Sequence, residues 1–272
     1  MNYYLSIFLL CLFSLVCRGQ IVLDDPSLSR NFRAEIKSLD EFCSRFNGIE
    51  TNPEVKDGNR SDILNLTRLF DYEDILFSKN NTKTDYTIKV EAFCDSVIRN
   101  NITIHLSDPD FYAFVKCKVK FEGKARDVNL LLRQEILEND YTRWCIVAVS
   151  GLVKAGIVKN PSLTNISPVE HELHFMGLDD VLNNNRTLAF GYRAAEMEIN
   201  QLSVFLTLLQ TNSLTFVGVE DVKFYCFRVP GFVFVVSEKV RDSLNSGWLI
   251  TELLPASQDK KTEILWNLYT EK

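Results

Sequence analysis

The stretch FYAFVKCKVKF, residues 111–121, decides the fold of this chain. The odd-numbered positions from Ala113 to Phe121 are apolar, whereas Lys116, Lys118 and Lys120 stand between them. Successive side chains of a strand point to opposite faces, so this alternation predicts a strand with one face toward a core and one toward water. Strand-like segments over residues 128–136 and 144–147 follow, and together they predict an antiparallel meander.

Helical periodicity precedes this meander. It predicts helices over residues 27–46, 61–70 and 88–99, with an exposed loop over 78–86. The second half repeats the order more weakly, with a helix predicted over 196–210 and strands near Cys226, at 232–236 and at 248–251. The run at 232–236 lacks alternation and predicts a strand buried on both faces.

The two halves therefore predict an α+β fold in which helices pack on curved antiparallel sheets. Trp144 and Trp248 open the last strand of each half, which favours a tandem duplication. A chance likeness between two antiparallel meanders is the alternative. We expect a first domain over residues 20–155 and a second, diverged domain over residues 156–272.

The N-terminus has the pattern of a secretory signal. The apolar run from Tyr3 to Cys17 is shorter than the roughly 20 residues of a membrane span, and Cys17-Arg18-Gly19 offers small residues for cleavage. These features predict a signal peptide over residues 1–19 and an exported protein, periplasmic or extracellular. An uncleaved anchor is the alternative, because no basic residue precedes the run. No later run approaches the length of a span.

Composition narrows the possible partners. The net charge is −6 and the basic residues do not cluster, which argues against nucleic acid as a partner. Phosphate loops, nucleophile elbows and dinucleotide fingerprints are absent, so we expect no cofactor. An apolar content of 46% is sufficient for well-packed cores.

The cysteines leave three possibilities open. Seven cysteines are present, and Cys11 and Cys17 lie in the expected signal. The five that remain are an odd number, and no CxxC motif occurs among them. Buried free thiols, one structural disulfide, and a catalytic thiol are the alternatives, in falling order.

Helices followed by a long meander that closes on a Trp-x-Ile strand resemble the nuclear transport factor 2-like, or cystatin-like, cone. That resemblance covers residues 29–150 and, more weakly, 168–253, and it implies a curved sheet around a helix with an apolar pocket at the open end. The whole chain also resembles secreted proteins of gut-type Bacteroidales bacteria. The latter resemblance rests on the Gln20 start and on residues 46–48, 166–172 and 229–232, and it implies no activity. The cone family includes isomerases, dehydratases and binding modules, so its fold does not determine a function.

Few residues qualify as site candidates. His171 and His174 share a helix face and are weak candidates for a metal site, against an exposed polar face as the simpler interpretation. Tyr112, which follows the acidic turn at 108–110, and the two tryptophans Trp144 and Trp248 are candidates for a ligand pocket. Each tryptophan is also a candidate for the core.

Two functions follow as hypotheses. The first is an exported, non-catalytic two-domain protein that binds a small ligand, a peptide or a protein partner. The alternative is a cone-fold enzyme, isomerase or hydrolase-like, with an acid–base site in one pocket. A third interpretation is that the two halves fill each other and leave no pocket.

Overall fold

The computed structural model describes residues 39–49, 66–77, 83–137, 141–158, 197, 199–242 and 245–270. The chain divides into two compact units, Met1–Leu39 and Asp40–Lys272, and the second contains every numbered element below. The predicted signal peptide over residues 1–19 lies outside the described residues and stays a prediction.

The described elements follow one another as helix, helix, three strands, helix, three strands, helix. Residues 39–46 form a further helical segment at the start. The bounds are α1 Tyr72–Phe77, α2 Lys83–Arg99, β1 Phe111–Phe121, β2 Lys124–Ile136, β3 Thr142–Ser150, α3 Gln201–Gln210, β4 Leu214–Cys226, β5 Phe232–Lys239, β6 Gly247–Pro255 and α4 Gln258–Thr270.

All six strands belong to one open antiparallel sheet in the order β3-β2-β1-β4-β5-β6. Each half contributes a three-stranded meander, and β1 pairs with β4 from Phe111–Cys226 to Phe121–Leu214 to join them. The predicted α+β class is confirmed. The predicted boundary between residues 155 and 156 stays a prediction, and strands from both sides of it share this sheet.

Strand β1 has the two faces that its sequence predicts. Ala113, Val115, Cys117 and Val119 are buried, whereas Lys116 and Lys120 are exposed. We call the face with Ala113 to Val119 the inner face and the opposite one the outer face. Polar side chains at alternate positions therefore keep part of the outer face in water, as an antiparallel sheet allows.

Aromatic side chains build the core on the inner face. Phe93 of α2 lies between Phe232 and Phe234 of β5, at ring-centroid distances of 5.6 and 5.4 Å. Phe46 stacks on Phe234 at 5.6 Å. Burial of such rings is the main stabilising contribution of this layer. Val233 to Val236 are all fully buried, which confirms that β5 is covered on both faces.

Helix α4, which the sequence patterns did not predict, covers the other side of the sheet. Ile264, Leu265 and Leu268 pack on a buried cluster that includes Tyr112 and Leu131. Its first turn is fixed by the buried Lys261, whose Nζ donates hydrogen bonds to the carbonyl oxygens of Phe227 and Val229, at 2.5 and 2.7 Å. These two bonds attach α4 to the connection between β4 and β5.

Two predicted helix starts were wrong. Helix α2 begins at Lys83 rather than near Ile88, because the Tyr86 ring packs edge-on against Phe70 at 6.3 Å and stabilises an extra turn. Helix α3 begins at Gln201 rather than at residue 196. The Asn200 side chain accepts a hydrogen bond from the Ser203 N–H and so caps the helix.

Strand β4 contains two bulges. The pairing with β1 passes from Lys116–Asp221 to Cys117–Val219 and from Lys118–Gly218 to Val119–Phe216, so Glu220 and Val217 are extra residues. Each bulge bends a strand and increases its local twist.

Candidate functional site

The structure brings together the two tryptophans that the sequence singled out. Their indole rings both contact Phe224 of β4, at centroid distances of 6.2 Å for Trp144 and 5.2 Å for Trp248. Phe224 stacks in turn on Phe111 of β1 at 5.7 Å. We call these four residues the aromatic row; it lies on the inner face of the sheet.

The aromatic row shows that the inner face is concave. Trp144 lies on β3 and Phe224 on β4, three positions apart in the order of strands. Adjacent strands are about 4.8 Å apart, so the two backbones would be separated by roughly 14 Å in a flat sheet. Rings at a 6.2 Å centroid distance therefore lean toward each other across a curved surface.

Burial differs along the aromatic row. Phe111, Phe224 and Trp248 are buried, whereas Trp144 is only half-buried. The half-buried Gln134 pairs with Trp144 across β2 and β3 and so lies on the same face. The row is thus accessible at its Trp144 end, beside one amide group.

Tyr112, the third predicted residue, lies elsewhere. It is buried on the outer face, where its ring meets Phe227 at 5.9 Å and Tyr269 of α4 at 6.5 Å. Neighbouring positions of β1 point to opposite faces, so Tyr112 and Phe111 cannot line one surface. The structure does not bring Tyr112 together with the tryptophans.

The predicted histidines His171 and His174 lie outside the described residues. Within the described part of the chain, no group of three or more His, Cys, Asp or Glu side chains is arranged to hold a metal ion. No helix among the described residues is long and apolar enough to cross a membrane.

The five described cysteines are free thiols and four of them are buried, so the first of the three alternatives holds for all but the half-buried Cys145. Burial raises the pKa of Cys43, Cys94 and Cys226 to about 12 and that of Cys117 to about 11. Cys145 is half-buried, and its hydrogen bond with Glu135 raises the pKa of the thiol. Raised pKa values keep these thiols protonated and weakly nucleophilic.

A cluster of charged side chains, absent from the sequence predictions, fixes α1 to the end of β5. Asp71 is only 1% exposed, and its two carboxylate oxygens accept hydrogen bonds from Arg241 at 2.9 and 3.0 Å. Oδ1 of Asp71 also accepts the Asp74 N–H at 3.2 Å and so caps α1. Lys239 donates to Asp74 at 2.8 Å.

The contacts of this ion cluster join separate segments of the fold. Arg241 also binds the Asn245 side chain, whose amide donates to the Phe70 carbonyl oxygen at 2.8 Å. The segment around Phe70 bridges β6 at Ile250. The buried carboxylate is thus held by bidentate hydrogen bonds, in the geometry in which Arg stabilises a buried carboxylate best.

A second feature that the sequence patterns missed is the first half of β4. Phe216, Val217 and Val219 are 40%, 62% and 56% exposed. Strand β5 pairs with β4 only from Lys223 to Cys226, and no described strand pairs with that side of residues 214–222. The absence of strict alternation in LTFVGVEDV, residues 214–222, was the available signal.

Comparison of the chain with protein-family models, with curated proteins and with solved structures finds no match. What the protein does must therefore be inferred from the surfaces described above.

Proposed function

We propose that this chain is an exported, non-catalytic binding protein that holds a small apolar or aromatic ligand at the Trp144 end of the aromatic row. The observation that carries the proposal is the difference in burial along that row. Three of its rings are packed into the core, while the fourth, on an edge strand, keeps part of its surface open.

The chemistry of the row suits such a ligand. Small-molecule sites are concave, are lined mainly by aromatic and apolar side chains, and contain a few polar groups that orient the ligand. Here the concave inner face supplies the rings, and the Gln134 amide supplies a donor and an acceptor beside Trp144. An aromatic ligand would stack on the open part of the Trp144 indole.

The finer architecture belongs to the same proposal. A tandem duplication of a cone-shaped unit is supported by the order of elements, since α2 precedes β1–β3 as α3 precedes β4–β6. The curvature of the inner face supports a cone-like shape. We propose in the same way that the chain resembles the nuclear transport factor 2-like family and is secreted.

An environment-sensitive fluorescent probe, anilinonaphthalene sulfonate, tests the ligand site. The wild-type chain should bind the probe, and Trp144→Ala should weaken that binding by about tenfold, which corresponds to about 1.4 kcal/mol. Trp266→Ala is the matched control, because Trp266 is 57% exposed on α4.

The outcomes separate a site from general apolar surface. Equal loss of binding in the two variants, or no binding by the wild type, would contradict the proposal. A circular-dichroism melt of each variant verifies that both remain folded.

A further inference from the structure

The open stretch of β4 differs from the two outer strands of the sheet, which described segments contact. Ile250 of β6 donates its N–H to the Leu69 carbonyl oxygen at 2.7 Å and accepts the Asp71 N–H at 2.9 Å. At the opposite edge, α3 and α4 both pack against β3. Along residues 214–222, by contrast, no strand of the described part of the chain pairs with the β5 side of β4, and apolar side chains are exposed there. Such an edge is a template for pairing with another strand.

The bulge at Val217 makes this edge self-complementary. Phe216 pairs with Val119 and Val219 pairs with Cys117, so both lie on the inner face although they are three positions apart. In a regular strand they would lie on opposite faces. With the bulge, they are placed symmetrically about the peptide between Val217 and Gly218.

We propose that residues 215–220 of β4 pair antiparallel with the same residues of a second copy of this chain, about a two-fold axis at Val217–Gly218. Phe216 of each copy then lies opposite Val219 of the other, on the same face. Val217 lies opposite Gly218 of the other copy. An isologous contact of this kind uses one patch twice and closes as a dimer.

Each of these contacts removes exposed apolar surface from water. Phe216 and Val219 of the two copies form directly opposite apolar pairs, which stabilise a sheet, and Val217 packs over Gly218 of the other copy. A Cβ added at Gly218 would find nothing within 4 Å, so there is open space beside the axis for Val217 of the partner copy.

The charges on β4 are compatible with this pairing. Glu220 is compensated within its own chain by Lys118, with 2.7 Å between Oε1 and Nζ. Antiparallel pairing puts Glu220 opposite Thr215 of the other copy and separates the two glutamates by roughly 15 Å along the strands. That distance exceeds the Debye length of about 8 Å at physiological ionic strength, so repulsion between them is screened.

The second copy is a better occupant than an unrelated extended peptide. The apolar part of the edge is short and symmetric, and a second copy carries the same bulges and therefore matches its register, whereas a regular peptide strand does not. The small size of the patch predicts a weak, reversible dimer, because stable interfaces bury about 1,600 Å².

Sedimentation equilibrium of the full-length chain, from about 1 μM to about 1 mM, tests the proposal over the range in which weak interfaces associate. The wild type should shift from monomer to dimer. Val217→Lys should weaken association by more than about tenfold, because it brings two lysines together at the axis. Val240→Lys, at a valine that is 87% exposed in the β5–β6 connection, should dimerise as the wild type does.

Mixing variants makes the test specific for the two-fold register. Val217→Lys and Val217→Glu should each remain monomeric alone, and an equimolar mixture should form a heterodimer. A wild type that stays monomeric at every concentration would overturn the proposal, and hydrogen exchange would then show whether a segment of the same chain protects residues 214–222. Dimerisation by the Val217→Lys variant alone, or a mixture that does not associate, would overturn it equally.

Discussion

Replacement of Asp71 by alanine is the sharpest test of how the second half of the sheet is held to the segment around α1. Asp71 accepts both guanidinium hydrogen bonds from Arg241, also lies 3.5 Å from Lys239 Nζ, and caps α1. The substitution removes all of these contacts at once and leaves the half-buried Arg241 guanidinium with one fewer carboxylate.

The magnitude follows from burial. Removing one member of a buried ion pair costs about 3–5 kcal/mol, since the remaining charge loses its compensation. Asp74 and Glu73 stay within 2.9 and 3.6 Å of Arg241, so its charge remains partly compensated. We therefore expect the lower end, about 3 kcal/mol, which for a chain of this size lowers Tm by roughly 6–12 °C.

Urea unfolding followed by circular dichroism measures this loss, and Asp127→Ala is its control. Asp127 also forms an ion pair, at 2.7 Å to Lys118, but its side chain is 75% exposed. Exposed pairs contribute little, so the control should unfold at nearly the wild-type midpoint. If Asp71→Ala unfolds there too, the ion cluster does not stabilise the fold and the reasoning from burial fails.

Three further outcomes are expected. Lys261→Met should lose about 2 kcal/mol in the same urea assay, because two carbonyl oxygens of the β4–β5 connection lose their donor, whereas Lys260→Met should not change the midpoint. Tyr86→Phe should leave stability unchanged or raise it by about 1 kcal/mol, because the buried Tyr86 hydroxyl has no hydrogen-bond partner among the described residues; a clear loss would reveal one. At pH 8, maleimide labelling read by mass spectrometry should modify Cys145 first among the five described thiols, and rapid labelling of any other would disprove their burial; the protected ones are Cys43, Cys94, Cys117 and Cys226.

Local sequence patterns predicted the elements whose own alternation or continuous apolar run indicates which faces are buried. The alternation of apolar and Lys positions from Ala113 to Lys120 corresponds to β1, and the continuous apolar run at 232–236 corresponds to β5. Both patterns report directly which face of a strand meets the core. The helix starts were less predictable, because Tyr86 extends α2 through a contact with Phe70 that local sequence cannot show.

Local patterns could not predict which distant strands pair with each other. Two separate sheets and one sheet joined through β1 and β4 have the same alternation, so residues 111–121 could not reveal their partner. The candidate site residues also differ in how far the local sequence could reveal them. Trp144 and Trp248 could be singled out because they open the last strand of each half, whereas the pairing of Asp71 with Arg241 depends on a contact between distant parts of the chain.

From the pairing of β1 with β4 we also expect an order of folding events. Phe111 can pair with Cys226 only after β4, the first strand of the second half, has folded back onto β1. In contrast, β1, β2 and β3 can pair in sequence order through short turns. Contacts between distant parts of a chain form slowly because loop closure costs entropy before they stabilise anything. During that interval β1 is an exposed edge, and Lys116, Lys118 and Lys120 then act as charged gatekeepers against aggregation. The same lysines that keep part of the outer face in water in the finished sheet would thus protect the half-formed one.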